Sequence, residues 1–181
     1  GETFTGKILN NFLNTNKLKS IYLDACEFIN CNSSNTGLFN SGEFIVKSDQ
    51  IKKFFKSNNY IIVPGFRGLN IDNSISLMGR GGSDTTGSLI ASSLDSSEYE
   101  IWTDVNGLYT GDPNKIDNTR LIKSISYNAV QEMSAMGAKV IHPYCIKPCK
   151  KKNIPIIIRN TFDFLYKNNI IENFDKINTV E

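Results

Sequence analysis

The sequence is short of the residues that several common kinds of site require. Among its 181 residues are one histidine, one tryptophan and four cysteines, and no two cysteines form a CxxC pair. Zinc ribbons need such pairs, and a serine or cysteine hydrolase needs a histidine beside its nucleophile, so both classes are poorly supported. His142, Cys145 and Cys149 could share a helix face and form a metal site, but reduced, buried thiols are the simpler interpretation of these cysteines.

Excess charge and long apolar runs are missing as well. With 20 basic and 18 acidic side chains the net charge is only +2, which predicts neither a nucleic acid nor a membrane surface as partner. No apolar run approaches the roughly 18 residues of a membrane span, and the first residues lack the apolar core of a secretory signal. We therefore expect a cytoplasmic protein, unless an organelle address lies upstream of Gly1.

What the sequence does contain is a regular alternation of apolar runs with amphipathic stretches. The stretches predict helices over 2–14, 49–59, 85–94, 127–137 and 143–153. The runs predict strands over 20–25, 43–47, 60–65, 74–79, 99–104 and 154–160, with a surface loop at 30–41. The run "YIIVPG" is typical of a strand buried on both faces. We expect an α/β domain with a mainly parallel sheet and no internal repeat or interdomain linker.

The stretch "GRGGSDTTGSLIA" (79–91) lies between a predicted strand and a predicted helix. Backbone N–H groups at a helix start bind anions, and glycines let a ligand approach closely. Arg80 offers a planar fork for a carboxylate or phosphate, and Asp84 can bind an ammonium group. This combination predicts a site for a zwitterionic amino acid beside a phosphate. In the alternative interpretation Arg80 and Asp84 pair with each other and cap the helix, although such a surface pair contributes only about 0–1 kcal/mol.

Two better-known phosphate loops fit less well. "GETFTGKI" (1–8) matches GxxxxGK, but Ile8 stands where a serine or threonine must hold Mg²⁺. Phe4, Ile8, Leu9 and Phe12 also form a helical stripe there. The dinucleotide pattern GxGxxG fails because Asp84 occupies the position of its third glycine.

A second loop, "WTDVNGLYTGDPN" (102–114), has two interpretations. It is a β-hairpin with a type I′ turn at Asn106–Gly107, or it is a platform for a nucleotide. In the second interpretation Thr103 and Asp104 end a strand, Tyr109 offers a face to the base, and Asp112 is fixed before a proline. Lys139, beside Gly137, is either a phosphate partner or an ordinary solvated side chain.

Four segments, "VPGFRG", "GRGGSDTT", "WTDVNGLYTGDPN" and "MGAKVIHP", occur in an order and spacing that resemble aspartate kinases, within the wider amino acid kinase family. The resemblance covers about residues 1–163 and leaves 164–181 as a poorly patterned tail. The glycine loop with its arginine and aspartate is specific to aspartate kinases. The "TDV" loop is shared with kinases for acetylglutamate, glutamate, carbamate and UMP.

The resemblance implies a three-layer αβα sandwich and a phosphoryl transfer. The γ-phosphoryl group of ATP, with Mg²⁺ as cofactor, would pass to the side-chain carboxylate of L-aspartate and give 4-phospho-L-aspartate. In the family this step leads toward lysine, threonine and methionine, and relatives commonly form homodimers.

The resemblance also assigns roles to individual residues. Arg80 would hold the carboxylate of L-aspartate, while Glu2 and Asp84 would face its ammonium group with Ser83 nearby. Asp84 and Lys139 would support catalysis, and no residue is implied as a direct metal ligand. The residues implied in nucleotide binding are Thr103, Asp104, Tyr109, Asp112, Lys115, Lys139 and Val140.

Three departures from the family pattern limit what we expect of these residues alone. Asn114 stands where many members carry arginine, with Lys115 following, and "TFDF" lacks a proline common in relatives. The family's opening Lys-Phe-Gly-Gly-Thr-Ser segment and its regulatory ACT domains are absent. Because catalysis here is positioning and electrostatics, we expect weak binding and little turnover. The alternatives are a non-catalytic module with a nucleotide-binding fold and a sibling kinase for another carboxylate, such as glutamate or acetylglutamate.

Overall fold

The computed structural model describes residues 1–31, 44–113, 115–137, 141–163 and 169–173. Contacts within the chain divide it into two compact units, Gly1–Leu94 and Asp95–Glu181. Among the helices of the described residues, none has the length and apolarity to cross a membrane.

The first unit contains three α-helices and six short strands in its described residues. In chain order they are α1 (Glu2–Thr15), β1 (Ser20–Tyr22), β2 (Ile29–Cys31), β3 (Phe44–Val46), α2 (Ser48–Phe54), β4 (Tyr60–Ile62), β5 (Arg67–Leu69), β6 (Ile75–Leu77) and α3 (Gly82–Ser93). Strands β1 and β4 pair in parallel. The other four form a mixed sheet in the order β3-β2-β5-β6, in which only β2 and β5 are parallel.

The second unit contains one mixed four-stranded sheet and two α-helices in its described residues. The elements are β7 (Tyr99–Thr103), β8 (Ser124–Ser126), α4 (Tyr127–Ala135), α5 (Pro143–Lys152), β9 (Ile156–Asn160) and β10 (Asn169–Glu172). The strand order is β7-β9-β10-β8, with β7 parallel to β9, β9 antiparallel to β10, and β10 parallel to β8. Thr103 and Asn160, the last residues of β7 and β9, are register partners.

Each unit buries its own apolar residues. In the first unit the core cluster consists of Leu23, Ala25, Phe28, Ile29, Ile51 and Met78. In the second, the fully buried side chains include Val130, Ile146, Ile156, Ile158 and Ile171. The β9 residues among them come from the run "IPIIIRN", which the pattern predicts as a buried strand.

Side-chain caps and a proline set where the helices of the second unit begin. Ser126 caps α4 by accepting a hydrogen bond from the backbone N–H of Ala129 at 3.2 Å. Pro143 occupies the first turn of α5, where its missing N–H costs nothing, and His142 is the N-cap. Asn153, in a left-handed conformation, ends α5. Both helices therefore lie where the sequence predicts them.

Helix α1 lies where the sequence predicts it, at Glu2–Thr15. Its stripe is exposed, with Phe4 71% and Phe12 61% accessible, and the helix packs through Gly6, where a Cβ would lie 3.1 Å from the Tyr22 ring. Two other predictions about the first unit are wrong. Tyr60 is 44% exposed, so β4 is not buried on both faces. Helix α3 begins at Gly82, earlier than predicted.

Strands β2, β5, β8 and β10 were not predicted. Each has three or four residues and at least one ladder partner distant in sequence, which a local pattern does not reveal. The predicted loop 30–41 begins inside β2, and from residue 32 onward it lies outside the described residues. Likewise, β10 falls within the tail that looked unpatterned.

Candidate active site

The backbone of the glycine loop turns sharply between β6 and α3. Gly79 and Gly81 have φ angles of 72° and 70°, a left-handed conformation that favours glycine. Gly81 is the N-cap of α3, and the first turns close through hydrogen bonds from Gly82 N to Gly79 O (3.1 Å) and from Thr85 N to Gly81 O (2.9 Å). Because Gly81 and Gly82 have no side chains, a ligand at the start of α3 would meet backbone N–H groups there.

The segment before β5 packs directly on this helix start. A Cβ on Gly82 would lie 2.6 Å from Cδ2 of Phe66 and 3.0 Å from Cβ of Met78. Phe66 itself has a φ of 76°, and its N–H donates to the hydroxyl of Thr86 at 3.0 Å. A Cβ on Gly65 would lie 3.0 Å from Cα of Ser83. These contacts fix the backbone of the glycine loop and leave no room for a methyl group on Gly65 or Gly82.

Sequence reasoning missed the part played by Gly65, Phe66 and Thr86. The segment "VPGFRG" was used for the resemblance but was given no role of its own. Its two glycines around an aromatic residue were the available signal for a close backbone approach.

The structure brings two of the four predicted substrate residues into contact. The Ser83 hydroxyl donates to Oε1 of Glu2 at 2.7 Å, although the two residues are 81 positions apart. Arg80 is exposed, and Asp84 is half-buried in the first turn of α3. Within the described residues no ion pair joins Arg80 to Asp84. The alternative in which these two charges neutralise each other is therefore not what the structure has.

A cavity of about 560 Å³ lies in the second unit. Five of the seven residues predicted to bind nucleotide line it: Thr103, Asp104, Tyr109, Asp112 and Lys115. The other two, Lys139 and Val140, lie outside the described residues, as does Asn114. Further lining residues, which sequence reasoning did not single out, are Val105, Gly107, Leu108, Thr110, Gly111, Pro113, Met133 and Gly137.

The cavity wall is not the local hairpin that Asn106–Gly107 suggested. Strand β7 pairs in parallel with β9, and Tyr109 forms an antiparallel bridge with Leu121. Backbone hydrogen bonds from Thr110 N to Arg120 O (2.9 Å) and from Ile122 N to Leu108 O (2.8 Å) flank that bridge. Residues 108–110 are thus held by a segment about ten positions downstream, and Leu108 is only 2% exposed.

Charges line one part of the cavity. Nζ of Lys115 lies 3.7 Å from Oδ2 of Asp112, and the backbone N–H of Lys115 donates to Asp112 O at 3.0 Å. Both side chains are open to solvent, with 79% and 46% accessible. Among the described lining residues Lys115 is the one cation. Thr103 donates its hydroxyl to Asp104 at 3.2 Å.

The cavity suits a nucleotide in size and chemistry. Small-molecule sites commonly measure roughly 300–1,000 Å³ and combine apolar walls with a few placed polar groups. Within the described residues no three His, Cys, Asp or Glu side chains gather to hold a metal. Mg²⁺ is commonly bound through substrate phosphates with one or two carboxylates, so this finding is compatible with a metal that arrives on the nucleotide.

The two groups whose pKa is raised by burial, Tyr127 and Cys26, belong to neither loop. Burial raises the pKa of Tyr127 to about 12, and its hydroxyl donates to the carbonyl of Ile154 at 2.5 Å. Burial and the neighbouring Asp24 carboxylate raise the pKa of Cys26, while Arg67, 2.5 Å from Asp24, opposes them. Neither shift prepares a group for acid–base chemistry near neutral pH.

Three comparisons with known proteins agree with this geometry. The model of the amino acid kinase family matches residues 1–160. The bifunctional aspartokinase/homoserine dehydrogenase of Buchnera aphidicola is 46% identical over 104 residues, which are 58% of this chain and 13% of that protein. The aspartokinase of Rickettsia felis is 35% identical over 131 residues, which are 72% of this chain and 33% of that protein. The chain thus spans a third or less of the length of these relatives.

A solved structure gives the same picture for the fold. Aspartokinase III of E. coli, in complex with aspartate and ADP, superposes with a TM-score of 0.82 at 26% identity, over 96% of this chain and 39% of that one. The match confirms the expected fold class, a three-layer α/β architecture with a mixed, partly parallel sheet system.

Proposed function

The chain belongs to the amino acid kinase family, and from that premise we propose that it carries the aspartate-binding and nucleotide-binding segments of an aspartate kinase. The reaction is transfer of the γ-phosphoryl group of ATP to the side-chain carboxylate of L-aspartate. Nucleotide use follows from the family and from the solved relative that holds ADP. L-Aspartate as substrate is supported by the same relative, which holds aspartate as well.

The observation that carries the proposal is the hydrogen bond between Ser83 and Glu2 beside an exposed Arg80. Stability alone does not explain a polar contact at the surface, since an exposed interaction of this kind contributes little. A carboxylate and a hydroxyl in contact at the start of a helix, with an exposed arginine three positions before the serine, are suited to an amino acid with charges of both signs.

In this assignment the residues of the glycine loop and Glu2 bind and orient L-aspartate for the transfer. Arg80 binds the α-carboxylate of L-aspartate through its planar fork, and Glu2 and Asp84 bind the ammonium group. A carboxylate oxygen of the substrate then forms a bond to the γ-phosphorus, and the bond to the bridging oxygen breaks with its electron pair leaving on ADP. No proton has to be removed from the ionised carboxylate, so orientation is the main contribution of the loop.

The nucleotide is assigned to the cavity of the second unit. Tyr109 offers apolar surface to the base, and Lys115 offers a cation to the phosphates, with Lys139 and Val140 added by the resemblance. Mg²⁺ belongs to the proposal as a cofactor that neutralises phosphate charge when bound. The same proposal includes a kinase-like region over about 1–163, a homodimer of the complete protein, a cytoplasmic location and no nucleic-acid or membrane partner.

Substitution of Arg80 tests the substrate half of the proposal. In the protein encoded by the complete reading frame, we expect Arg80→Ala to raise the KM for aspartate by about 10- to 150-fold, because a hydrogen-bonded charge contributes about 1.5–3 kcal/mol. Arg80→Lys, which keeps the charge and loses the fork, should fall between. Steady-state kinetics with each substrate varied, and titration with ADP, provide the measurement. An equal loss of aspartate and nucleotide affinity would contradict the role of Arg80.

The same protein separates the two alternatives. Assays with ATP, Mg²⁺ and either aspartate, glutamate or acetylglutamate should give turnover on aspartate. Turnover on another carboxylate and not on aspartate would indicate a sibling kinase. Nucleotide binding without any phosphoryl transfer would indicate a non-catalytic module.

A further inference from the structure

We infer that Asn160, at the end of β9, is a positioning residue that fixes the wall of the nucleotide cavity through Asn106. The inference rests on the proposed function of that cavity. Neither asparagine lines the cavity, and neither belongs to the residues assigned to substrate or nucleotide.

The contact joins two chain segments that leave the sheet side by side. Nδ2 of Asn160 donates to Oδ1 of Asn106 at 2.5 Å, across 54 positions of sequence, and both side chains are half-buried. One step earlier, the ladder between the same strands ends with a hydrogen bond from Thr161 N to Thr103 O at 2.8 Å. Beyond the end of the backbone ladder, the side-chain hydrogen bond between the two asparagines therefore keeps the segments that follow β7 and β9 connected.

The orientation of the Asn160 amide follows from its second contact. Its Oδ1 accepts a hydrogen bond from the backbone N–H of Phe162 at 2.8 Å. A backbone N–H is only a donor, so the oxygen must face Phe162 and the amide nitrogen must face Asn106. Asn106 then has to present its oxygen. The two side chains are locked into one arrangement by a backbone group that does not change.

Asn106 lies between two cavity-lining residues, Val105 and Gly107. Gly107 has a φ of 129°, and the segment from Asp104 to Gly107 connects β7 to the Tyr109 bridge. The asparagine contact attaches the middle of this connection, at Asn106, to the last residue of β9. Without it, a nucleotide would have to order the segment on binding and lose affinity by the corresponding amount.

The bland explanation is that the pair only stabilises the second unit. The two explanations differ in what they predict for a folded protein. A purely stabilising contact changes the unfolding midpoint and leaves the affinity of the folded protein unchanged, whereas a positioning contact changes affinity under conditions where all variants are folded.

Substitution of asparagine by aspartate gives a sharp test. In Asn106→Asp a carboxylate still accepts from Asn160. In Asn160→Asp one carboxylate oxygen still accepts from Phe162, and the Asn106 amide turns to donate to the other oxygen. In the double variant two carboxylates face each other, and neither side chain has a donor to offer the other. Asn106→Ala removes the contact without adding charge.

The chain would be titrated with a fluorescent ADP analogue at a temperature where every variant is folded. We expect Asn106→Ala to weaken binding about three- to tenfold, the value of one hydrogen bond, the conservative single variants to weaken it less, and the double variant to weaken it most. Asn11→Asp/Asn59→Asp, which adds the same two charges at exposed positions of the first unit, should bind like the unchanged chain. A double variant no weaker than Asn106→Asp would overturn the inference.

Hydrogen exchange without nucleotide separates this inference from the proposed function. Amides of residues 104–108 should exchange faster in Asn106→Ala and in the double variant than in the conservative single variants, while amides of α4 stay unchanged. If the unchanged chain bound no ADP, the proposed function would fail, and the exchange result would still decide the positioning role. Equal exchange at 104–108 in all variants would overturn it.

Discussion

The glycine loop of the first unit and the loop after β7 in the second are built in different ways. In the glycine loop, left-handed glycines and the contact between Phe66 and Gly82 fix the main chain, and the charged side chain of Arg80 remains exposed. In the loop after β7, a bridge to a downstream segment shapes a cavity, and the one cation of its described wall, Lys115, already faces a carboxylate. The first loop thus has a closely packed backbone and an exposed arginine. The second loop lines a cavity, and its lysine is partly compensated by a nearby carboxylate.

This difference predicts how each loop responds to substitution. Added volume beneath the glycine loop should lower the free energy of unfolding, because interiors have no spare room. Removed charge at the cavity should lower affinity and leave folding nearly unchanged, because exposed ion pairs contribute little to stability.

Gly82→Ala should break the glycine loop. Its Cβ would lie 2.6 Å from the Phe66 ring and 3.0 Å from Cβ of Met78, so ring or helix start must move. We expect the free energy of unfolding to fall by about 1–3 kcal/mol, the usual cost of overpacking. Urea unfolding followed by circular dichroism measures it. The second loop should keep its ADP affinity in this variant.

Two further variants identify crowding as the cause. Gly1→Ala makes the same change at the N-cap of α1, where none of the described residues lies within 4 Å of the new Cβ, so its cost should be limited to the poorer capping by alanine, about 0.5 kcal/mol. Phe66→Ala should reduce the cost of Gly82→Ala, because the double variant removes the nearer obstacle. If the two costs simply add, the steric explanation is wrong.

Sequence predicted the parts of both loops that depend on local chemistry. Helices α4 and α5 lie where the residue pattern predicts them, with Gly137 just beyond α4 and Pro143 at the start of α5. The order Arg80, Ser83, Asp84 at a helix start is readable from residue types. The fold class followed from alternating strands and helices, and the structural match confirms it.

The remainder depends on contacts between residues distant in sequence. The Phe66 ring over Gly82, the hydrogen bond from Ser83 to Glu2 and the pair Asn106–Asn160 are set by tertiary packing, which no local pattern encodes. Strands β5 and β10 are likewise very short, and each has one partner distant in sequence, β2 and β8 respectively. The stripe on α1 has helical spacing, which predicts the helix correctly, but spacing does not say what covers a face, and the stripe is exposed.

Tyr127→Phe sharpens the comparison in the second unit. Helix α4, which supplies Met133 to the cavity, begins at Tyr127, whose hydroxyl donates to the carbonyl of Ile154 at 2.5 Å. Removing the hydroxyl should cost about 0.5–1.5 kcal/mol, measured by urea unfolding at pH 8. A cost near zero would show that the carbonyl finds another donor.

The pH dependence of the same variant has a definite sign. The pKa of Tyr127 is raised to about 12 in the folded protein, above the ordinary value near 10. Its contribution is therefore complete below about pH 10 and is lost as the pH rises through the folded value. Stability of the unchanged protein should fall between about pH 10 and 12, and Tyr127→Phe should lack this part of the decline.

Lys115→Met is the smallest expected change in stability and the most direct test of the second loop. Its ammonium is 79% exposed and 3.7 Å from Asp112, so the free energy of unfolding should change by no more than about 0.5 kcal/mol. Affinity for ADP should fall about three- to tenfold at low salt and less at high salt, since exposed charges are screened. Lys123→Met, an exposed lysine of the same unit outside the cavity wall, should change neither quantity. If Lys115→Met bound ADP as tightly as the unchanged chain, the cation of the described wall would have no part in phosphate binding.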